Sequence, residues 1–103
     1  MARRASWRIP INLNVLFNCC DKGCSGTITN MSEGGMFIST HEMCFPVDSQ
    51  FELSIPWDNE VINAPARLVR SVNADNGLNG IGVELMNPPQ SYLNFVDNLL
   101  LVL

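Results

Sequence analysis

An all-β domain with a C-terminal helix, built as a small six-stranded antiparallel β-barrel, is the fold this sequence predicts. Three observations predict it. Apolar and polar residues alternate in several short segments, the period of a half-buried strand. Turns rich in Gly, Pro, Asn and Asp separate those segments, with no helical stretch between them. After Asn87-Pro88-Pro89 the apolar period lengthens to that of a helix. Short antiparallel strands leave unpaired edges unless the sheet closes, so a barrel is the economical architecture.

The elements follow in order. Residues 1–10 lack periodicity and read as a flexible arginine arm, with the barrel over 11–103. Ile11, Leu13, Val15 and Phe17 alternate with Asn12 and Asn14; Leu16 is the exception. After a turn at Asp21-Lys22-Gly23, Ser25–Asn30 and Gly35–Thr40 form two strands joined closely enough to be a hairpin. Pro46-Val47-Asp48-Ser49 is a loop, and Phe51, Leu53 and Ile55 alternate until Pro56 ends the strand. Val61–Val72 is a longer strand interrupted near Pro65, with Ala66 and Leu68 on one face and Arg67 and Val69 on the other. Asn73–Asn79 is a turn and Gly80–Met86 the last strand. Asn87 then caps a helix over 88–103, with proline in its first turn. Tyr92, Leu93, Phe95, Val96, Leu99, Leu100 and Leu103 give that helix its apolar face. Its last turn is apolar nearly all round, which leaves two alternatives: burial in its own core, or burial against a partner or a second copy of the chain.

Composition narrows the function. At 103 residues the chain is one domain, and 47% hydrophobic with 16% charged residues is a globular balance. The formal net charge of -4 argues against a general binder of DNA or RNA. Three of the six basic residues, Arg3, Arg4 and Arg8, nevertheless precede all ten acidic ones. A cationic arm on an acidic body favours a small, well-placed anion over a polyanion. Asn12 and Asn14 break any apolar signal-peptide core, and Leu99–Leu103 is far too short to span a bilayer, so a cytoplasmic protein is expected.

Two short motifs carry the chemistry. Arg4-Ala5-Ser6-Trp7-Arg8 fits RxxxR, and Asn30-Met31-Ser32-Glu33-Gly34-Gly35 fits [D/N]xSxxG. Guanidinium groups are five-donor forks with flat cationic faces, suited to phosphates and purine edges. Asn and Ser offer compact hydrogen-bonding groups, and adjacent glycines permit positive φ and close approach to a ligand. Each motif alone is weak; the pair in this order is far more specific. Together they resemble the PilZ domain, a bacterial receptor for cyclic di-GMP. The similarity continues through Gly35-Met36-Phe37-Ile38, Ala66-Arg67-Leu68-Val69-Arg70 and Gly80-Ile81-Gly82-Val83-Glu84-Leu85, and so covers essentially the whole chain.

The resemblance implies a PilZ-like split barrel and a cyclic di-GMP site formed by Arg4, Arg8, Asn30, Ser32 and Gly35, with Arg3 as a further phosphate contact. Arg4 and Arg8 would take guanine O6 and N7 or stack on the base, Asn30 and Ser32 would meet another ligand edge, and Gly35 would keep the floor free of a Cβ. Asn30 stands where the motif also accepts Asp, so no carboxylate is present there to accept guanine donors. The arm would order on binding, and a partner protein in motility, exopolysaccharide or virulence control would read the change. No cofactor, metal or catalytic residue is implied.

Two rivals remain at this level. One is a PilZ-like adaptor that binds proteins without nucleotide. The other is a metal or redox protein using Cys19, Cys20, Cys24 and Cys44, for which Cys20-x3-Cys24 and His41-x2-Cys44 lack paired CxxC knuckles. An enzyme is not expected: His41 is the single histidine, and nothing near it supplies a nucleophile and an orienting group.

Overall fold

The computed structural model describes residues 9–19, 22–41, 46–73 and 79–102. Six strands, β1 (Ile9–Cys19), β2 (Lys22–Met31), β3 (Gly35–Ser39), β4 (Gln50–Trp57), β5 (Glu60–Asn73) and β6 (Asn79–Leu85), precede one helix, α1 (Gln90–Val102). The strands close into a barrel in the order β1-β2-β3-β6-β5-β4, with every neighbouring pair antiparallel. Closure leaves no sheet edge, and it gives each strand the one buried face that the alternation demanded. Val15 and Phe17, Leu53 and Ile55, and Ala66 and Leu68 are buried, whereas Leu16 and Val69 point outward at 55% and 46% exposure.

Several boundaries differ from the sequence expectation for physical reasons. β1 takes in Ile9 and Pro10, which the sequence assigns to the arm, because both pair with β2: Ile9 with Met31 and Pro10 with Asn30. β4 continues through Pro56 to Trp57, and β5 runs unbroken through Pro65. Pro65 still contributes its carbonyl, which accepts from the Met86 N–H at 2.9 Å. Asp58 and Asn59 join β4 to β5, both at positive φ (53° and 63°), the signature of a type I′ hairpin.

Asn87 does not cap α1. It sits at φ 51° and turns the chain out of β6, and the Pro89 carbonyl accepts the first helical bonds from Tyr92 and Leu93. The helix therefore begins at Gln90, where a free N–H series becomes available after the two prolines.

β5 runs past the end of β6, where Ala66 pairs with Leu85, and α1 packs against that end of the barrel, meeting β5, Trp57 and Ser32. Tyr92, Phe95, Val96 and Leu99 are its buried face. Phe95 meets the Trp57 ring at 5.1 Å between centroids and the Tyr92 ring at 6.4 Å. The last turn is divided: Leu99 is buried, while Leu100 and Leu101 are 38% and 82% exposed. No helix among the described residues is long and apolar enough to cross a membrane.

Candidate functional site

The connection between β2 and β3 is a tight elbow, and Ser32 holds it shut. The Ser32 N–H donates to the Gly35 carbonyl at 2.8 Å, and its hydroxyl reaches the same oxygen at 3.4 Å. Ser32 is only 2% exposed, so its visible contribution is to fix the turn from inside while lining the groove beside it. The elbow is tied to β6 by the Leu85 N–H, which donates to the Gly34 carbonyl at 2.9 Å.

A third tie comes from a distant part of the chain. The Tyr92 hydroxyl of α1, fully buried, donates to the Ser32 carbonyl at 2.7 Å. A buried phenol requires such a partner, and this one makes the helix a structural support of the elbow. Sequence reasoning places Tyr92 on an apolar face; its hydroxyl was the signal that it also anchors something polar.

Gly34 and Gly35 differ in their roles, and neither adopts positive φ. A Cβ on Gly35 would lie 2.5 Å from the Val83 carbonyl oxygen, so glycine is required there by the close approach of β3 to β6. A Cβ on Gly34 would meet nothing within 4 Å. The glycine pair thus serves strand packing, not a left-handed turn.

Asn30 pairs with Pro10 on one side and Phe37 on the other. Its Oδ1 is buried and has no hydrogen-bond partner among the described residues. An unpaired buried carbonyl is costly, and so marks a place where an additional donor is accommodated. Arg3, Arg4, Arg8 and Trp7 lie outside the described residues, as do Cys20 and Cys44. The strand register nevertheless fixes where the arm is attached: Ile9, one peptide bond after Arg8, is paired with Met31 beside the elbow. Cys24 is buried and in no disulfide, and the described residues contain no cluster of His, Cys, Asp and Glu that could hold a metal.

On the outer barrel surface next to the elbow lies an open groove lined by Ser32, Gly34, Gly35, Arg67, Val69, Val83 and Glu84. Arg67 bridges two carboxylates across it, donating to Asp48 at 2.5 Å and to Glu84. The hydrogen bond to Glu84, followed by that to Asp48, raises the Arg67 pKa above its ordinary value. Arg67 therefore stays charged, and its charge is satisfied within the protein. The sequence gives no warning of that bridge, because its members come from the β3–β4 connection, β5 and β6.

Comparison with known proteins agrees with this architecture. The PilZ domain model matches residues 2–101. Bacillus subtilis inhibitor of motility, MotI/DgrA, superposes with a TM-score of 0.76 at 19% identity, over 98% of this chain and 52% of that one, so this chain spans about half its length. The PilZ domain of CeSA from a cellulose-synthesizing bacterium gives 0.70 at 25% identity, over 91% of this chain and 98% of that domain. The PilZ domain of Escherichia coli YcgR, solved with c-di-GMP, gives 0.69 at 14% identity, over 93% and 87%. No curated protein matches. With a family model spanning nearly every residue and a closed six-stranded barrel bearing one terminal helix, this chain belongs to the PilZ domain family.

Proposed function

We propose that this chain is a cyclic di-GMP receptor that orders its N-terminal arm on binding and signals to a partner protein. The observation that carries the reading is the pairing of Ile9 with Met31 and of Pro10 with Asn30, which attaches the arginine arm directly beside the Asn30–Gly35 elbow. A ligand resting on the elbow is then within reach of Arg4 and Arg8, whose guanidiniums take guanine edges or faces, with Arg3 beside a phosphate. Asn30 turns its unpaired Oδ1 to a ligand donor, and Ser32 and Gly35 hold the floor. No step in this function is chemical: the output is the change of an ordered surface, read by another protein.

Titration calorimetry with cyclic di-GMP is the test. Micromolar or tighter binding that disappears in an Arg8→Ala, Ser32→Ala double variant is expected. Absence of heat from the unaltered protein ends the receptor reading. A nucleotide-independent adaptor is the second reading, favoured by the exposure of Leu100 and Leu101 on α1. It predicts a partner whose capture is indifferent to cyclic di-GMP.

A further inference from the structure

β4 and β5 end in a hairpin that stands beside α1, and the two enclose a groove with an aromatic floor. Trp57 and Glu60 are the last pair of that hairpin, closed by Asp58 and Asn59, so their side chains lie on one face of it. Trp57 rests one side on Phe95 of α1, at 5.1 Å between ring centroids, and is still 43% exposed. Asp58, Glu60, Asn94 and Asn98 complete the walls. At 260 Å³ the groove is smaller than the pockets of about 300–1,000 Å³ that enclose drug-sized ligands, and it suits one long side chain.

The charge of the groove is one-sided. β4 and α1 contain no basic residue, and the two on β5, Arg67 and Arg70, come well after Glu60 along the strand. Arg67 is already held by Asp48 and Glu84. Asp58 and Glu60 therefore pair with no cation among the described residues. Asn94 uses its Oδ1 to accept from Gln90 at 3.0 Å, whereas the Asn98 side chain has no hydrogen-bond partner among the described residues. Two carboxylates and an amide oxygen thus border an open indole surface.

We propose that this groove is a docking site for an arginine of a partner protein, its guanidinium on Trp57 and its donors on Glu60, Asp58 and Asn98. Charge complementarity selects a cation, and the indole selects a flat one. A guanidinium stacks on an aromatic face while its fork of donors serves several acceptors at once, which an ammonium does less well. The chain's own Arg3, Arg4 and Arg8 are assigned to the ligand at the elbow, so the docked cation comes from outside. Its helical wall is α1, whose Tyr92 holds the Ser32 carbonyl, so a partner seated here touches the element that supports the elbow. The inference rests on the partner half of the reading above and not on the nucleotide.

Nuclear magnetic resonance of the labelled full chain, without nucleotide, tests it with N-acetyl-arginine amide and its lysine counterpart as probes. The Trp57 indole N–H and the Asn98 side-chain amide should shift saturably with arginine, and lysine should bind at least about threefold more weakly. Asp58→Asn combined with Glu60→Gln should weaken arginine binding by about fivefold or more. Asn tolerates the positive φ of position 58, so the hairpin is kept, and a thermal melt of the variant confirms it. No shift, equal binding of the two probes, or binding unchanged in the double variant overturns the inference. Shifts seen only after Arg3→Ala, Arg4→Ala and Arg8→Ala overturn it in favour of the chain's own arm as occupant. A Trp57 signal that moves on dilution overturns it in favour of a second copy of the chain. Each of these failures leaves the cyclic di-GMP titration unaffected, and absence of heat in that titration leaves this surface standing.

Discussion

Replacing Tyr92 with Phe removes one oxygen from the protein and is expected to cost far more than its size suggests. The phenol is fully buried, its ring packs on Phe95, and its hydroxyl donates to the Ser32 carbonyl at 2.7 Å. Phe keeps the ring and the packing but strips the Ser32 carbonyl of that donor at an elbow residue only 2% exposed. Leaving one buried polar group unsatisfied costs about 1–3 kcal/mol. For a domain of this size, roughly 2 kcal/mol lowers the melting temperature by about 8–16 °C. Thermal and urea melts of the unaltered protein and Tyr92→Phe measure it, with an unchanged urea slope showing that the native and denatured states are otherwise comparable. Amide exchange at Ser32 and Leu85 should also accelerate, because the elbow loses its support from α1. A Tm within about 2 °C of the parent would refute the argument, since the hydroxyl would then contribute no more than water does to the free carbonyl.

The remaining predictions concern the elbow and the surface. Gly35→Ala drives a Cβ to 2.5 Å from the Val83 carbonyl and should destabilise by about 1–3 kcal/mol in urea melts. Gly34→Ala, with open space and ordinary φ, should be neutral or stabilise by about 0.4–1 kcal/mol; equal losses at both positions would contradict the strand-approach argument. Arg67→Ala removes exposed ion pairs to Asp48 and Glu84, so any fall in melting temperature seen in low salt should vanish in high salt. Leu101→Glu, at a position 82% exposed, should change stability by no more than about 0.5 kcal/mol. If the adaptor reading holds, the same substitution abolishes partner capture in a pull-down.

The strands, the terminal helix and the elbow are legible along the chain, because each is written locally. Alternation at Phe51, Leu53 and Ile55 has one buried face to satisfy, and Tyr92, Phe95, Val96 and Leu99 recur at the helical period. The two motifs were also legible, since Asn30, Ser32 and Gly35 are close neighbours in the chain. The boundaries at Pro56, Pro65 and Asn87 are not, because proline and asparagine state only a local preference, which strand pairing overrides at the two prolines and the turn out of β6 overrides at Asn87. Pro56 remains in β4 because Val61 lies opposite it, and Asn87 turns the chain instead of capping α1. The reason Gly35 must be glycine is a carbonyl on β6, the elbow's support is a phenol sixty residues away, and Arg70 reaches Phe37 only because Gly82 separates them. Such relations depend on which strands become neighbours and in what register. Only closure of the barrel in the order β1-β2-β3-β6-β5-β4 decided that, by burying every apolar face at once.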